Sequence, residues 1–162
     1  MGETSAFRIA QLILRIASEQ EAGISNLKLQ KLLYYSQAWY LAITNKPLFH
    51  ERIEAWIHGP VVPPVFGEYK QYRWSPLPPP DNFIEIQEPA PPARSIAKHV
   101  REVMTLYGPL TGPQLEALTH QEDPWKIARN NLPPDAPSSA IITHQSMINF
   151  YAPMIKRSGA NA

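Results

Sequence analysis

Residues 27–72 read LKLQKLLYYSQAWYLAITNKPLFHERIEAWIHGPVVPPVFGEYKQY. Through about Thr44 the stretch has the makings of a helix that is apolar nearly all round. Leu29, Leu32 and Leu33 line one face, and Tyr34, Tyr35, Trp39, Tyr40 and Leu41 fill much of the remainder. Such a helix belongs at the centre of a fold, because no side of it is suited to water. Ser25 or Asn26 can satisfy its first free N–H groups, and Asn45-Lys46-Pro47 ends it. Ile53 to His58 then alternates, with Ile53, Ala55 and Ile57 on one face and Glu54, Trp56 and His58 on the other, which predicts a short strand. Gly59-Pro60 stops it. Pro63 or Pro64 can open a further helix, where a missing N–H costs little, and this helix carries Val65, Phe66 and Tyr69 to about Trp74.

Before this stretch, Ile9, Leu12, Ile13 and Ile16 make one helical stripe within Ser5–Glu21, with Ser5 as cap and Gly23 marking the end. After it, residues 76–92 hold seven of the 18 prolines, which blocks helix. Within that segment Phe83-Ile84-Glu85-Ile86 alternates. It either pairs with Ile53–His58 as a two-stranded sheet or forms a surface loop. Ile96, Val100, Val103 and Tyr107 mark a helix over 94–107. Thr111 can cap a short one carrying Leu115 and Leu118, and Asp123-Pro124 opens another that turns Trp125 and Ile127 inward. A last helix, capped by Thr143, runs from about His144 to Tyr151 and packs Ile148 and Tyr151, and the chain is expected to fray after Ile155. The expectation is a mainly α fold: a compact helical domain with a small two-stranded β element. Residues 1–157 are read as a single domain and 158–162 as a disordered tail.

A chain of 162 residues, 44% hydrophobic, can bury a core of its own as one domain. Its apolar runs, such as Ala38 to Ile43, fall far short of the roughly 20 residues a membrane span needs. No signal-peptide core precedes Arg8 and Arg15, and there is no cysteine for disulfides or thiolate metal sites. A cytoplasmic protein fits these features. The formal net charge is +1. Residues 1–80 carry eight Lys/Arg against six Asp/Glu, and the remainder seven against eight. Neither half has the basic excess of a strong nucleic-acid binder.

The densest polar cluster is His120, Glu122 and Asp123. Its spacing fits no zinc or calcium signature, and a helix start explains it better: Asp123 caps, Pro124 opens the turn and Trp125 plugs the core. The histidines are scattered, and there is no Gly-x-Ser-x-Gly elbow, phosphate-cradling loop or His-Glu-x-x-His pair. No catalytic, cofactor-binding or metal-binding residue is therefore assigned, and the chain is not expected to be an enzyme. Lys28, Lys31, Tyr34 and Tyr35 interleave cations with aromatics, and the helices flanking Gly23 also suit a helix-turn-helix. Lysine stems covering an aromatic core account better for the same residues. Four Trp and seven Tyr suit protein recognition, and Pro60-Val61-Val62-Pro63 makes a rigid apolar turn. By composition alone, seating the strand against the helices is the better account of that turn.

Three groups of residues, in order and at fitting spacing, resemble the SocA-like family of bacterial antitoxins, whose shared unit is the Panacea domain. They are Leu29-Gln30-Lys31-Leu32-Leu33-Tyr34-Tyr35; Ile53-Glu54-Ala55-Trp56 followed by His58-Gly59-Pro60-Val61-Val62-Pro63; and Thr119-His120 with Asp123-Pro124-Trp125. The likeness runs from about residue 7 to 152. Pro64 departs from the acidic residue often found there, and the Pro-rich segment at 76–92 is unusual for the family. The resemblance implies a bacterial, phage or mobile-element antitoxin that neutralises a cognate toxin, encoded by an adjacent gene, through direct protein contact. The alternatives are an adaptor that delivers the toxin to a cytoplasmic protease and, further back, a nucleic-acid-binding regulator. Some family members add DNA-binding segments, for which no length remains here. No cofactor and no membrane partner are expected, and nucleic acid is disfavoured. On exposed-face geometry, the expected partner-binding residues are Lys28, Lys31, Tyr35, Trp56, His58, Pro60 and Val62.

Overall fold

In the computed structural model, residues 2–160 are described, with side chains through Ile155. The helix α2 (Asn26–Thr44) forms the axis, and the other elements are laid around it. Ser25 caps it by accepting the Lys28 N–H, and Asn45 ends it in the left-handed region at φ 60°. It is buried nearly all round, as its composition predicts. Its interior polar groups are satisfied by the backbones of its neighbours. Gln30 Oε1 accepts the Val62 N–H at 2.9 Å, and Gln37 accepts the Leu48 N–H at 2.7 Å while donating to Phe49 O at 2.7 Å. These side chains serve as clamps that place the following loop and strand, so their burial costs little.

Helix α1 (Ala6–Glu19) buries the predicted stripe, and Ser5 accepts the Arg8 N–H. The strands β1 (Ile53–Trp56) and β2 (Gly59–Val61) form a hairpin with Trp56 opposite Gly59, and β3 (Ile141–Ile142) pairs antiparallel with the other edge of β1. The sheet order is β2–β1–β3. Of the two readings of Phe83–Ile86, the loop is the one observed. A hairpin closed by Ile57-His58 orders far less chain than a connection through the Pro-rich segment, and prolines on both sides remove ladder donors. Phe83 instead lies under the Arg15 guanidinium, 4.6 Å from its ring centroid.

Helix α3 (Pro63–Tyr69) starts on its prolines and tightens into a 3-10 turn at Lys70–Tyr72, short of the expected Trp74. Helices α4 (Ile96–Tyr107), α5 (Gly112–Gln121), α6 (Asp123–Arg129) and α7 (His144–Ala160) complete the described residues. Thr111 and Gln114 cap α5 reciprocally. Two details of α6 differ from expectation. Glu122, not Asp123, occupies the cap position, with no side-chain capping bond, and Ile127 is 62% exposed. Trp125 and Arg129 lie four residues apart on the inward face of this short helix, which turns Ile127 to the outside. Helix α7 continues well past Tyr151, through Pro153. Of the expected tail, residues 158–160 belong to this helix and 161–162 lie outside the described residues. Among the described residues no helix is long and apolar enough to cross a membrane.

Candidate interaction face and pocket

The β1–β2 hairpin projects between α2, α3 and α5, and its placement depends on Gly59. That residue has φ +102°, and a Cβ there would lie 2.7 Å from Lys31 Cε and 2.9 Å from Thr119 Oγ1. Glycine is required both for the conformation and for the close approach. Behind it, Lys31 is fully buried and donates from Nζ to Pro60 O at 3.0 Å. Burial lowers its ammonium to about 7, against which Glu116 gives partial support. From the other side, the Trp125 indole donates to Trp56 O at 2.8 Å. Arg129 also reaches β1: its guanidinium donates to Ala55 O at 3.2 Å, to Pro133 O at 2.9 Å and to Ala136 O at 2.5 Å. The hairpin is thus held on both sides by side chains from distant parts of the chain.

The seven residues expected on an exposed face divide. His58 is exposed at the hairpin tip, with Nδ1 3.1 Å from Glu116 Oε2. Trp56 is half-buried, edge-on to Phe66 at 5.2 Å, and its indole N–H donates to Glu54 Oε1 at 2.9 Å. Lys28 is half-buried and donates to Gly108 O at 2.6 Å, which ties α2 to the end of α4. Lys31, Tyr35, Pro60 and Val62 are buried, which corrects the expectation that all seven share an exposed face. In a helix apolar nearly all round, sequence periodicity cannot indicate which side faces out. Tyr35 belongs to an internal network in which its phenol and that of Tyr151 both donate to Glu122 Oε1. His120 stacks on Trp125 at 3.9 Å. The sequence cluster His120-Glu122-Asp123 is therefore dispersed into two core contacts and an exposed Asp123.

Beside the hairpin lies a cavity of about 510 Å³. The sequence reading missed it because its walls come from α2, the hairpin, the end of α3 and the loop before β3. Trp56, Val61 and Phe66 make one wall, with Lys31, Gln30 and Asn26 beneath. Asn26 donates to Phe66 O at 3.2 Å and accepts from Gln30 at 2.9 Å, so the floor is pre-formed. At the mouth, Arg73 leaves the 3-10 turn at φ 53°, a strained value for a residue with a side chain, and Trp74 lines the rim while 77% exposed. The only advance signal for this site was the aromatic density of residues 56–74.

A helical scaffold with a braced hairpin, bearing the three signature groups on that brace, defines the class. The chain belongs to the SocA-like antitoxins: the family described as "Antitoxin SocA-like, Panacea domain" matches residues 29–126. Within this span Lys31, Gly59 and Thr119, one from each signature group, meet at a single point of contact. Among individual relatives, Antitoxin SocA of Caulobacter vibrioides (strain NA1000 / CB15N) is 30% identical over 129 residues, covering 75% of this chain and 69% of its own length. No solved structure matches.

Proposed function

We propose that this chain is an antitoxin that neutralises a cognate toxin protein by direct contact, using the face around the hairpin tip. Trp56 and His58 are the residues of that face expected to touch the toxin, with Lys28 at its margin. Trp74, which the sequence reading did not single out, joins them. Lys31, Pro60 and Val62 act from behind by holding the hairpin in place, and Tyr35 acts further back by tying α2 to Glu122 at the start of α6. The observation that carries this reading is an aromatic, partly exposed hairpin braced by buried bonds, because a surface that is already ordered loses little entropy on binding. Tryptophan at such a position is a favoured interface anchor.

The test is to co-express this chain with the product of its neighbouring gene, follow growth, and pull down on a tag carried here. Rescue of growth arrest together with a stoichiometric complex is expected. The pair His58→Ala and Trp74→Ala is expected to lose the complex while the thermal melt stays near that of the parent. A harmless neighbour with no complex would sink the reading. The toxin's half-life in the same cells separates occlusion, in which it is unchanged, from delivery to a protease, in which it shortens.

A further inference from the structure

The cavity beside the hairpin has a floor whose polar side chains are turned to the protein itself. Asn26, Gln30 and Lys31 are 3%, 1% and 0% exposed. Asn26 bonds Phe66 O and Gln30, Gln30 accepts the Val62 N–H, and Lys31 donates away from the cavity to Pro60 O. The Trp56 indole N–H is likewise committed, to Glu54. What the walls offer an occupant is therefore carbon, from Leu27, Trp56, Val61, Phe66 and Trp74. A polar group entering there would lose its water with little in return, whereas an apolar side chain gains by leaving water. A volume of about 510 Å³ is ample for a large side chain.

The mouth is different. Lys70 and Arg73 both line it, and both are exposed. They stand three residues apart, at the start and just past the end of the 3-10 turn. Neither takes part in an ion pair among the described residues. His58, also at the rim, is held by Glu116, and no Asp or Glu among the described residues lines the cavity. The geometry points to a docking pocket for an acidic, apolar segment of the toxin. A large apolar side chain enters the cavity, and an Asp or Glu beside it in sequence meets Lys70 and Arg73. This rests on the toxin reading, since Trp56, His58 and Trp74 belong both to the pocket and to the face proposed above. The enclosed side chain supplies most of the affinity, and the exposed cations supply speed of association and choice of partner.

The test uses the full-length chain with the product of its neighbouring gene. Photoreactive p-benzoylphenylalanine is placed at position 74, the complex is irradiated, and the joined peptide is read by mass spectrometry. The peptide is expected to carry a large apolar residue next to Asp or Glu. Lys70→Glu together with Arg73→Glu should weaken binding about tenfold at low salt and less at high salt. Changing the acidic residues of the joined segment to Lys should restore it. Changing its apolar residue to Ser should weaken binding at least as much, at either salt concentration. Both cations are exposed, so the melt of the double variant should stay near that of the parent. A joined segment without an acidic residue, or a complex indifferent to the charge reversal, overturns this proposal and leaves the toxin reading standing. If the parent chain forms no complex, both fall together.

Discussion

The Tyr35 phenol donates to Glu122 Oε1 at 2.5 Å, joining the middle of α2 to the residue that immediately precedes α6. Tyr151 of α7 donates to the same oxygen at 3.0 Å and meets Tyr34 at 3.0 Å. One partly buried carboxylate therefore holds three helices together, surrounded by aromatic rings that include Tyr107 stacked on Tyr35 at 3.9 Å. Burial raises the Glu122 carboxyl above its ordinary range, and the two phenol bonds pull it back.

Tyr35→Phe removes one of those donors and is expected to cost about 1–3 kcal/mol at neutral pH. The sign of its pH dependence follows from the raised carboxyl. Glu122 favours the folded state below the ordinary carboxylate range, and that contribution is lost as pH rises through the folded pKa. Losing a bond to the charged form raises that pKa further. Urea titrations of parent and variant should therefore diverge more at pH 7 than at pH 4, and an equal gap at both would refute the assignment.

Lys31 predicts the opposite slope. Its folded pKa, lowered to about 7 by burial, lies below the ordinary 10.5. Its contribution is complete above the unfolded value and is lost as pH falls toward 7. Relative to Lys31→Met, the parent should gain stability between pH 7 and 9.5, by an amount on the order of a few kcal/mol. Chemical denaturation of the two proteins across that window measures the difference directly.

His99 is a buried neutral imidazole. Its Nε2–H donates to Ser36 O at 2.9 Å, and its Nδ1 accepts from Arg94 Nε at 2.9 Å. Burial is the chief cause of its fall to about 4 from 6.5; Arg94 adds to it, and the bond to Ser36 opposes it. Its stabilising contribution is present above pH 6.5 and is lost as pH falls through 4, a change of about 3 kcal/mol. His99→Gln can keep both hydrogen bonds and should flatten that part of the stability profile.

Arg129 is buried and reaches three backbone carbonyls, with its guanidinium 4.7 Å from the Trp125 ring centroid. Arg129→Met leaves those carbonyls without their donor and should cost about 3 kcal/mol or more. The segment 133–140 is then expected to become the first site of proteolysis, readable by mass spectrometry of limited digests. Cleavage elsewhere, at the parent's rate, would show that the brace is not made by this side chain.

The outcomes for individual elements show how much could be read in advance. Ser5, Ser25 and Thr111 cap helices as expected, because a cap acts within three residues of itself. The place of α2 at the centre was visible for a similar reason: a helix without a polar side must be covered. The partner of β1 was not visible, since alternation at Phe83–Ile86 states a possible face but not a possible neighbour. Gln30, Gln37 and Arg129 gave no signal at all, because their acceptors and donors are backbone groups on other elements.

Local sequence thus determined where helices begin and end, which of them is central, and that the chain carries the three groups of residues that mark its family. Those properties depend on interactions of a few residues' range. Tertiary structure alone decided that Lys31, Tyr35 and Val62 face inward, that β2 and β3 flank β1, and that a cationic pocket forms beside Trp56. Each of these depends on atoms brought together across tens of residues, where the gain of a buried contact outweighs the entropy of closing the loop between them.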